Sequence, residues 1–456
     1  MTTSFNRDPF ASVPGTGFGV AGTVRDALYD RIPLSEPELA LIGTRAFLRL
    51  ERIQQLGFVS RVWPGARHAR FDHSIGVMHL TRQAVAHLRS TGAGGWITDS
   101  DARVAVAAAL LHDVGHYPFS HAIEELGDPV LPHEVVGAEL VLGDEIAPIL
   151  REQWGIDPER VASVISPSSV AVMHSHDRVL RQLLSGPIDM DKLDYLPRDA
   201  RACNVPYGGV DTARLIDALR LAEIPLPGMA TLETRVVISE KGISPLHSLI
   251  NARQEMFDNV YWHHTNRACM AMLLRAVQEA LMAGALTARD LVGLDDASLL
   301  RTLADPEMPD ATRRLTLALQ ERRIHKRAVE ISARATDLHR RLGDLWFDAG
   351  KRRAVELRMV EGVSTMTGES VPGDAVLIDI PKPEKWRTEV WVQFDRPPVG
   401  FTEMMPWREV SGLEDADFKR YEEHRRLIRI VVDERYRLTV QRHWEALVPP
   451  ALGMAL

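Results

Sequence analysis

The stretch from Ala105 to Glu125, AVAAALLHDVGHYPFSHAIEE, sets His112, Asp113, His116, His121 and Glu124 into an otherwise apolar run. Ala105 to Leu111 is a helix former without a polar residue, so the His112-Asp113 pair arrives at the end of a segment expected to be buried. Buried imidazole and carboxylate need partners, and a divalent metal ion is one. Adjacent residues on a helix point about 100° apart, so both reach one ion only if it sits just off the helix face. Two ligands rarely suffice, and the rest must come from elsewhere in the chain. The dipeptide by itself is weak evidence, because His176-Asp177 is a second copy in a polar surrounding.

Spacing separates the two copies. Gly115-His116, Pro118-Phe119-Ser120-His121 and Glu124 follow the first pair closely; Arg70-Phe71-Asp72-His73-Ser74 lies upstream, and His133-Glu134 and Asp189-Met190-Asp191-Lys192 lie downstream. In these residues the chain resembles the HD-domain phosphohydrolases, and within them the deoxynucleoside triphosphate triphosphohydrolase branch, from about Arg25 to the C-terminus. The resemblance implies a mainly α fold, an HD helical core with a small C-terminal α+β lobe. It implies one divalent ion on His73, His112, Asp113 and Asp191, with a mixed nitrogen and oxygen set that suits Mn, Fe, Zn or Mg, and additional Mg arriving with the nucleotide.

Cleaving a phosphate ester needs a nucleophile made from water, charge relief at phosphorus and an acid for the leaving oxygen. His121 is the expected acid, because it lies nine residues beyond His112 and is followed at i+3 by Glu124, a carboxylate that keeps the proton on imidazole. By resemblance His116 and His133 line the phosphate channel, and Arg70, Lys192 and Arg253 hold phosphates. Gln55, Tyr195, Asp199 and Tyr261 fall on positions that contact the deoxyribose. His264 stands where a relative carries a lysine. Arg322 and Lys326 match a pair that binds an activating nucleotide at subunit interfaces, whereas Glu51 replaces an arginine and Asp26-Ala27-Leu28-Tyr29-Asp30 departs from the usual motif.

The expected activity is hydrolysis of deoxynucleoside triphosphates to deoxynucleoside and triphosphate by a homo-oligomer, a dimer or tetramer. The rivals are a phosphohydrolase of another nucleotide, acting stepwise or on a monophosphate, and a nucleotide-binding regulator without turnover. The chain has 456 residues, 45% hydrophobic and 25% charged, as in an ordinary soluble protein. A net charge of -8 argues against nucleic acid as the main partner. Cys203 and Cys269 alone exclude a disulfide scaffold and, with no apolar run long enough to span a bilayer, make cytoplasm the expected location.

Residues 1–22, rich in Gly, Pro, Ser and Thr, read as a flexible lead-in. Residues 23–341 read as the helical core, with helical spacing over 35–56, a helix from near Phe71 to Leu88, the central helix Asp99 to Leu111 and another opening at His133. Thr212 to Leu221 reads as helix, Arg235 to Ser239 as a strand in a small β insertion near 230–242, and Ser244 onward as helices to about Arg341. Residues 342–456 form the α+β lobe, with alternating strands at Val376–Ile380, Glu389–Phe394 and Leu427–Val432.

Overall fold

A computed structural model describes residues 13–169, 173–225, 232–382, 389–412 and 426–454. The first twelve residues of the expected lead-in lie outside these. From residue 13 the chain is packed: Val13 and Thr16 are buried, and Phe18 meets Trp154 edge-on at 5.4 Å.

Three helices form the frame of the core. The central helix, Asp99–Leu111, begins with a capping box in which Thr98 Oγ1 accepts the Asp101 N–H and the Asp101 carboxylate accepts the Thr98 N–H. From Val104 to Leu111 every residue is buried, and the short alanine side chains let neighbours come close on all sides. The histidine helix, Arg70–Ser90, packs against it and against the aspartate helix, Met190–Cys203, which is capped by Asp189. Gly76 of the histidine helix is required at that contact: a Cβ there would sit 2.0 Å from Asp194 Oδ1 and 2.4 Å from an Arg198 guanidinium nitrogen. Gly115 serves the same purpose beyond the central helix, where a Cβ would lie 2.1 Å from the His133 carbonyl oxygen. Both glycines stand at places where chemistry-bearing segments must approach closely.

An antiparallel hairpin, Gly22–Asp26 with Asp30–Leu34, lies ahead of this core. The segment expected as one helix over 35–56 is broken into Glu36–Ile42, Arg45–Leu48 and a 3-10 turn, Arg49–Arg52. Helix Thr212–Ala218 ends three residues early, because Leu219–Pro225 pairs with Leu232–Ser239 as a hairpin. Trp391–Gln393 adds in parallel to that hairpin and Met404–Pro406 completes the sheet, so part of the C-terminal segment returns to the core. The long tract after residue 243 runs as Ile243–Met256, a π turn at Phe257–Tyr261, and His264–Met282.

The second sheet has the order Lys326–Ile331, Ile428–Val432, Val376–Asp379, antiparallel throughout. Lys326–Ile331 was expected within a run of helices; its Arg327 and Glu330 side chains stay outside while Ile331 is buried, the alternation of an edge strand. Helix Ala349–Thr367 and the final helix, Arg437–Ala451, cover this sheet around a separate apolar cluster. Arg267 joins the lobe to the core through Asp379, at 2.7 Å, and Glu125, at 3.0 Å. The molecule is mainly α with small sheets in its C-terminal region.

Candidate active site

The three frame helices bring His73, His112 and Asp191 together, with donor atoms within 4.8 Å of one another. His73 is the fourth residue of its helix, Asp191 the second of its own, and His112 the first beyond the central helix. Asp191 Oδ1 is 3.0 Å from His73 Nε2 and 3.8 Å from His112 Nε2. Asp113 Oδ1 is 3.2 Å from His112 Nε2.

The second nitrogen of each ring fixes its tautomer. His112 Nδ1 is 2.8 Å from the Ala109 carbonyl oxygen and His73 Nδ1 is 2.8 Å from Asp194 Oδ2; both oxygens are acceptors, so both Nδ1 atoms carry the proton. Each Nε2 faces the carboxylates, and an ion bound there would replace any proton on it. His112 Nε2 is buried without a hydrogen-bond partner, a state a metal ion would relieve. Burial disfavours a charged His73, yet its hydrogen bonds to Asp191 and Asp194 and the charge of Asp113 outweigh this and raise its pKa to about 10. That is the electrostatics of a pocket that attracts a cation. The residues present fit a divalent ion.

Asp194 anchors a network behind His73. It accepts from Arg198 Nε at 2.8 Å and from the Tyr29 hydroxyl at 2.9 Å, and Arg198 Nη1 reaches Asp26 at 2.7 Å. Asp26 and Tyr29 belong to the stretch where the sequence departs from the family motif. Asp194 and Arg198 were missed by sequence reasoning, although Asp191, Asp194 and Arg198 follow at i+3 and i+4 steps that place them on one helix face.

Beside the first cluster stands a second, His116, His121, Glu124 and His133, also within 4.8 Å. His116 is fully buried and stacks on His133 at 3.7 Å. Its Nε2 is 3.2 Å from Asp113 Oδ1, outside hydrogen-bond alignment, so Asp113 stands between the two clusters. Burial, with the charges of Arg70 and His133, holds the His116 pKa well below the usual imidazole range, and the ring is neutral. Glu124 Oε1 is 2.8 Å from His133 Nδ1 and 3.7 Å from His121 Nδ1. Burial works against a charged His133, but the Glu124 hydrogen bond outweighs it and raises the pKa. Of the expected dyad, His121 is the exposed member, with 65% of its side chain open to solvent.

Arg70 Nη1 is 2.5 Å from Asp113 Oδ2 and its Nε donates to Ser120 Oγ at 2.9 Å, so the arginine is tied to Asp113 and to the following loop. Lys192 Nζ donates to the Gly186 carbonyl and to Asp189, two residues before Asp191. The Tyr195 ring lies 6.4 Å from both His73 and Tyr261. Burial raises the Tyr195 pKa, with the Arg253 charge acting against it. Asp199 has both oxygens engaged, by His68 Nε2 at 2.8 Å and the Tyr261 hydroxyl at 2.7 Å. Gln55 donates its N–H to the His68 carbonyl, and its buried side-chain oxygen has no partner. His68 thus touches both Gln55 and Asp199. His264 opens its helix against His263 at 4.3 Å; burial and His263 lower its pKa to about 4, so it is neutral where the relative has a cation. The second dipeptide copy is structural: Asp177 is buried on Arg160 and His176 packs against Trp96.

Arg322 and Lys326 lie apart from this site. They border a cavity of about 300 Å³ with Arg314, Asp374, Asp433 and Glu434, and Arg322 donates to the Arg61 carbonyl.

Comparison with known proteins agrees with this geometry. The profile described as HD domain matches residues 70–199, and that described as HD associated region matches 210–421. The uncharacterized protein YwfO of Bacillus subtilis is 34% identical over 280 residues, 57% of this chain and 60% of that one. The deoxynucleoside triphosphate triphosphohydrolase SAMHD1 homolog of Dictyostelium discoideum is 27% identical over 326 residues, 68% of this chain and 60% of that protein. The chain spans between about half and three fifths of the length of these curated relatives. A crystal structure of a hypothetical protein from Aquifex aeolicus superposes with a TM-score of 0.69 at 24% identity, covering 93% of this chain and 99% of that one, and shows the same fold. Among the described residues no helix is long and apolar enough to cross a membrane. Residues 70–199, which carry the His112-Asp113 pair, thus form an HD domain, and over more than half of its length the chain is similar to proteins named as deoxynucleoside triphosphate triphosphohydrolases.

Proposed function

We propose that the protein hydrolyses deoxynucleoside triphosphates to deoxynucleoside and inorganic triphosphate. The observation that carries this is the pairing of two clusters across Asp113: a carboxylate-rich ligand set on one side and an imidazole–carboxylate group on the other. Relatives named as deoxynucleoside triphosphate triphosphohydrolases support the substrate class.

His73, His112, Asp113 and Asp191 would hold the divalent ion. When bound, it supplies charge relief at phosphorus and acidifies water. Arg70 fixes Asp113, and Asp194 fixes His73, so the ligand set is oriented before substrate arrives. A water oxygen forms the new bond to the α-phosphorus while the bond from phosphorus to the 5′ oxygen breaks. His121 delivers its proton to that oxygen, and the proton released by the attacking water passes to solvent. His116 and His133 line the path of the phosphates, which Lys192, Arg253 and Arg70 help to neutralise. Tyr195 packs against the sugar face, where a 2′-hydroxyl would crowd it, and Gln55, Asp199 and Tyr261 bind its hydroxyl edge.

One geometric observation favours a second assignment of the acid within the same reaction: Glu124 is hydrogen-bonded to His133 and not to His121. His121→Ala and His133→Ala, compared on the same substrate, separate the two. The acid's loss costs at least about 10² in kcat, and the other variant loses less. A homo-oligomer and a nucleotide activator at Arg322 and Lys326 belong to the same reading, and sedimentation with and without nucleotide tests them. The substrate class is tested by incubation with each dNTP and NTP under Mn, Fe, Zn and Mg. Turnover of dNTPs over NTPs supports it, and turnover of neither, or of NTPs alone, defeats it.

A further inference from the structure

Between the two histidines His116 and His121 the chain makes a turn that is costly for the residues it contains. Phe119 has φ 58° and ψ 25°, and Ser120 has φ 62°, two consecutive left-handed residues neither of which is glycine. A bulky side chain adopts this conformation only where its surroundings over-determine it. The local sequence does not supply that constraint. Pro118 ends the preceding turn but makes no demand on Phe119 itself.

The constraint comes from a residue 177 positions away. Asp296, the first residue of helix Asp296–Leu303, is buried and directs its carboxylate into the loop. Its Oδ1 accepts the Phe119 N–H at 2.7 Å and its Oδ2 accepts the Gln54 N–H at 3.0 Å. One carboxylate therefore joins the segment that carries Gln55 to the loop that carries His121. Ser120 closes the same junction from the other side, donating its hydroxyl to the Gln54 carbonyl at 2.9 Å and accepting from Arg70. The Phe119 ring stacks on Phe58 at 4.4 Å. The neighbouring Asp295 ties Arg52 at 2.7 Å, which holds the helix start against the same segment. Asp296 touches no metal ligand and belongs to the HD-associated region, outside the matched HD domain.

We propose that Asp296 is a positioning residue for the leaving-group acid, its carboxylate holding the strained Phe119-Ser120 turn and thereby setting His121 over the site. This rests on the proposed dNTP hydrolysis with His121 as the acid. Two backbone donors converge on this one group, and only an acceptor at both oxygens satisfies them. A carboxamide of the same shape has one acceptor and turns two donors toward the other N–H. Asp296→Asn thus disturbs the clamp without opening a cavity.

The experiment is a double-variant cycle of Asp296→Asn with His121→Ala. It measures kcat and KM on dNTPs, metal content, melting temperature, and hydrogen–deuterium exchange of the peptide containing Phe119. Asp296→Asn is expected to lower kcat by about 10²-fold through misplacement of the acid, with metal content unchanged and faster exchange at Phe119. In the His121→Ala background the same substitution is expected to cost almost nothing further, because the group it positions is gone. An equal loss in both backgrounds, or exchange at Phe119 identical to wild type, overturns the proposal. Wild-type protein that turns over no dNTP defeats the proposed function; wild-type turnover with Asp296→Asn equally active defeats only the role of Asp296.

Discussion

Asp194→Asn tests whether the network behind the ligands sets the chemistry of His73. Asp194 is fully buried, and its two oxygens receive four donors: His73 Nδ1 and Arg198 Nε at 2.8 Å, and the Tyr29 hydroxyl and Arg198 Nη2 at 2.9 Å. Asparagine keeps the volume and one acceptor. If its amide nitrogen faces His73, it donates to Nδ1 and moves the ring proton to Nε2, the atom that must carry a free lone pair. If it faces the other way, Arg198 Nη2 and the Tyr29 hydroxyl lose their acceptor. Substitutions behind a metal-binding histidine weaken the metal about 10–100-fold, equivalent to roughly 1.4–2.8 kcal/mol. Arg198 keeps Asp26 at 2.7 Å, so the apoprotein should lose only the charge-assisted bond, about 1.5–3 kcal/mol. Calorimetric titration of metal-free protein with Mn, paired with melting curves of both forms, separates these effects. A variant that binds Mn as tightly as wild type, with His73 in its original tautomer by nitrogen NMR, would refute the argument.

Further outcomes follow from other parts of the structure. His112→Ala and Asp113→Ala should lose bound metal on elemental analysis while His176→Ala keeps it, because the second dipeptide is an ion-pair site; full metal in the first two sinks the ligand assignment. Tyr195→Ala should narrow the preference for dATP over ATP, read as the ratio of kcat/KM values, and an unchanged ratio would remove the ring from sugar selection. Burial opposes ionisation of Asp101, but Arg160 and Thr98 outweigh it and lower its pKa, so its carboxylate adds stability above the unfolded value of 3.8 that is lost as pH falls below it. Asp101→Asn should therefore melt lower at pH 7, by about 1 kcal/mol, with the gap closing in acid; a gap constant with pH contradicts this.

The gathering of His73, His112 and Asp191 was legible in part from local facts. An apolar run ending in His-Asp has to dispose of two buried polar groups, and the resemblance to the HD-domain phosphohydrolases supplied the partners. What escaped depends on distant contacts. Asp296 meets Phe119 across 177 residues, and nothing near either residue announces it. Glu124 takes a second and shorter contact, from His133, for a reason the expected helix did not show: Ser120–Leu126 is a 3-10 helix following a left-handed turn, and His133 comes in over Gly115. Strand Lys326–Ile331 hid in a basic tract, because an edge strand with charged outer residues carries little of the apolar alternation that marks a strand. Gly76, by contrast, had a reason the sequence could not state, the space taken by Asp194 and Arg198.

The central claim is that water attacks the α-phosphorus and the 5′ oxygen leaves as part of the deoxynucleoside. Hydrolysis of dNTPs in ¹⁸O-labelled water, with early products separated by anion exchange and weighed by mass spectrometry, tests it most directly. The account predicts triphosphate and deoxynucleoside in equal amounts, with one labelled oxygen on the triphosphate and none on the deoxynucleoside. Orthophosphate with a deoxynucleoside diphosphate, or label in the deoxynucleoside, would contradict it.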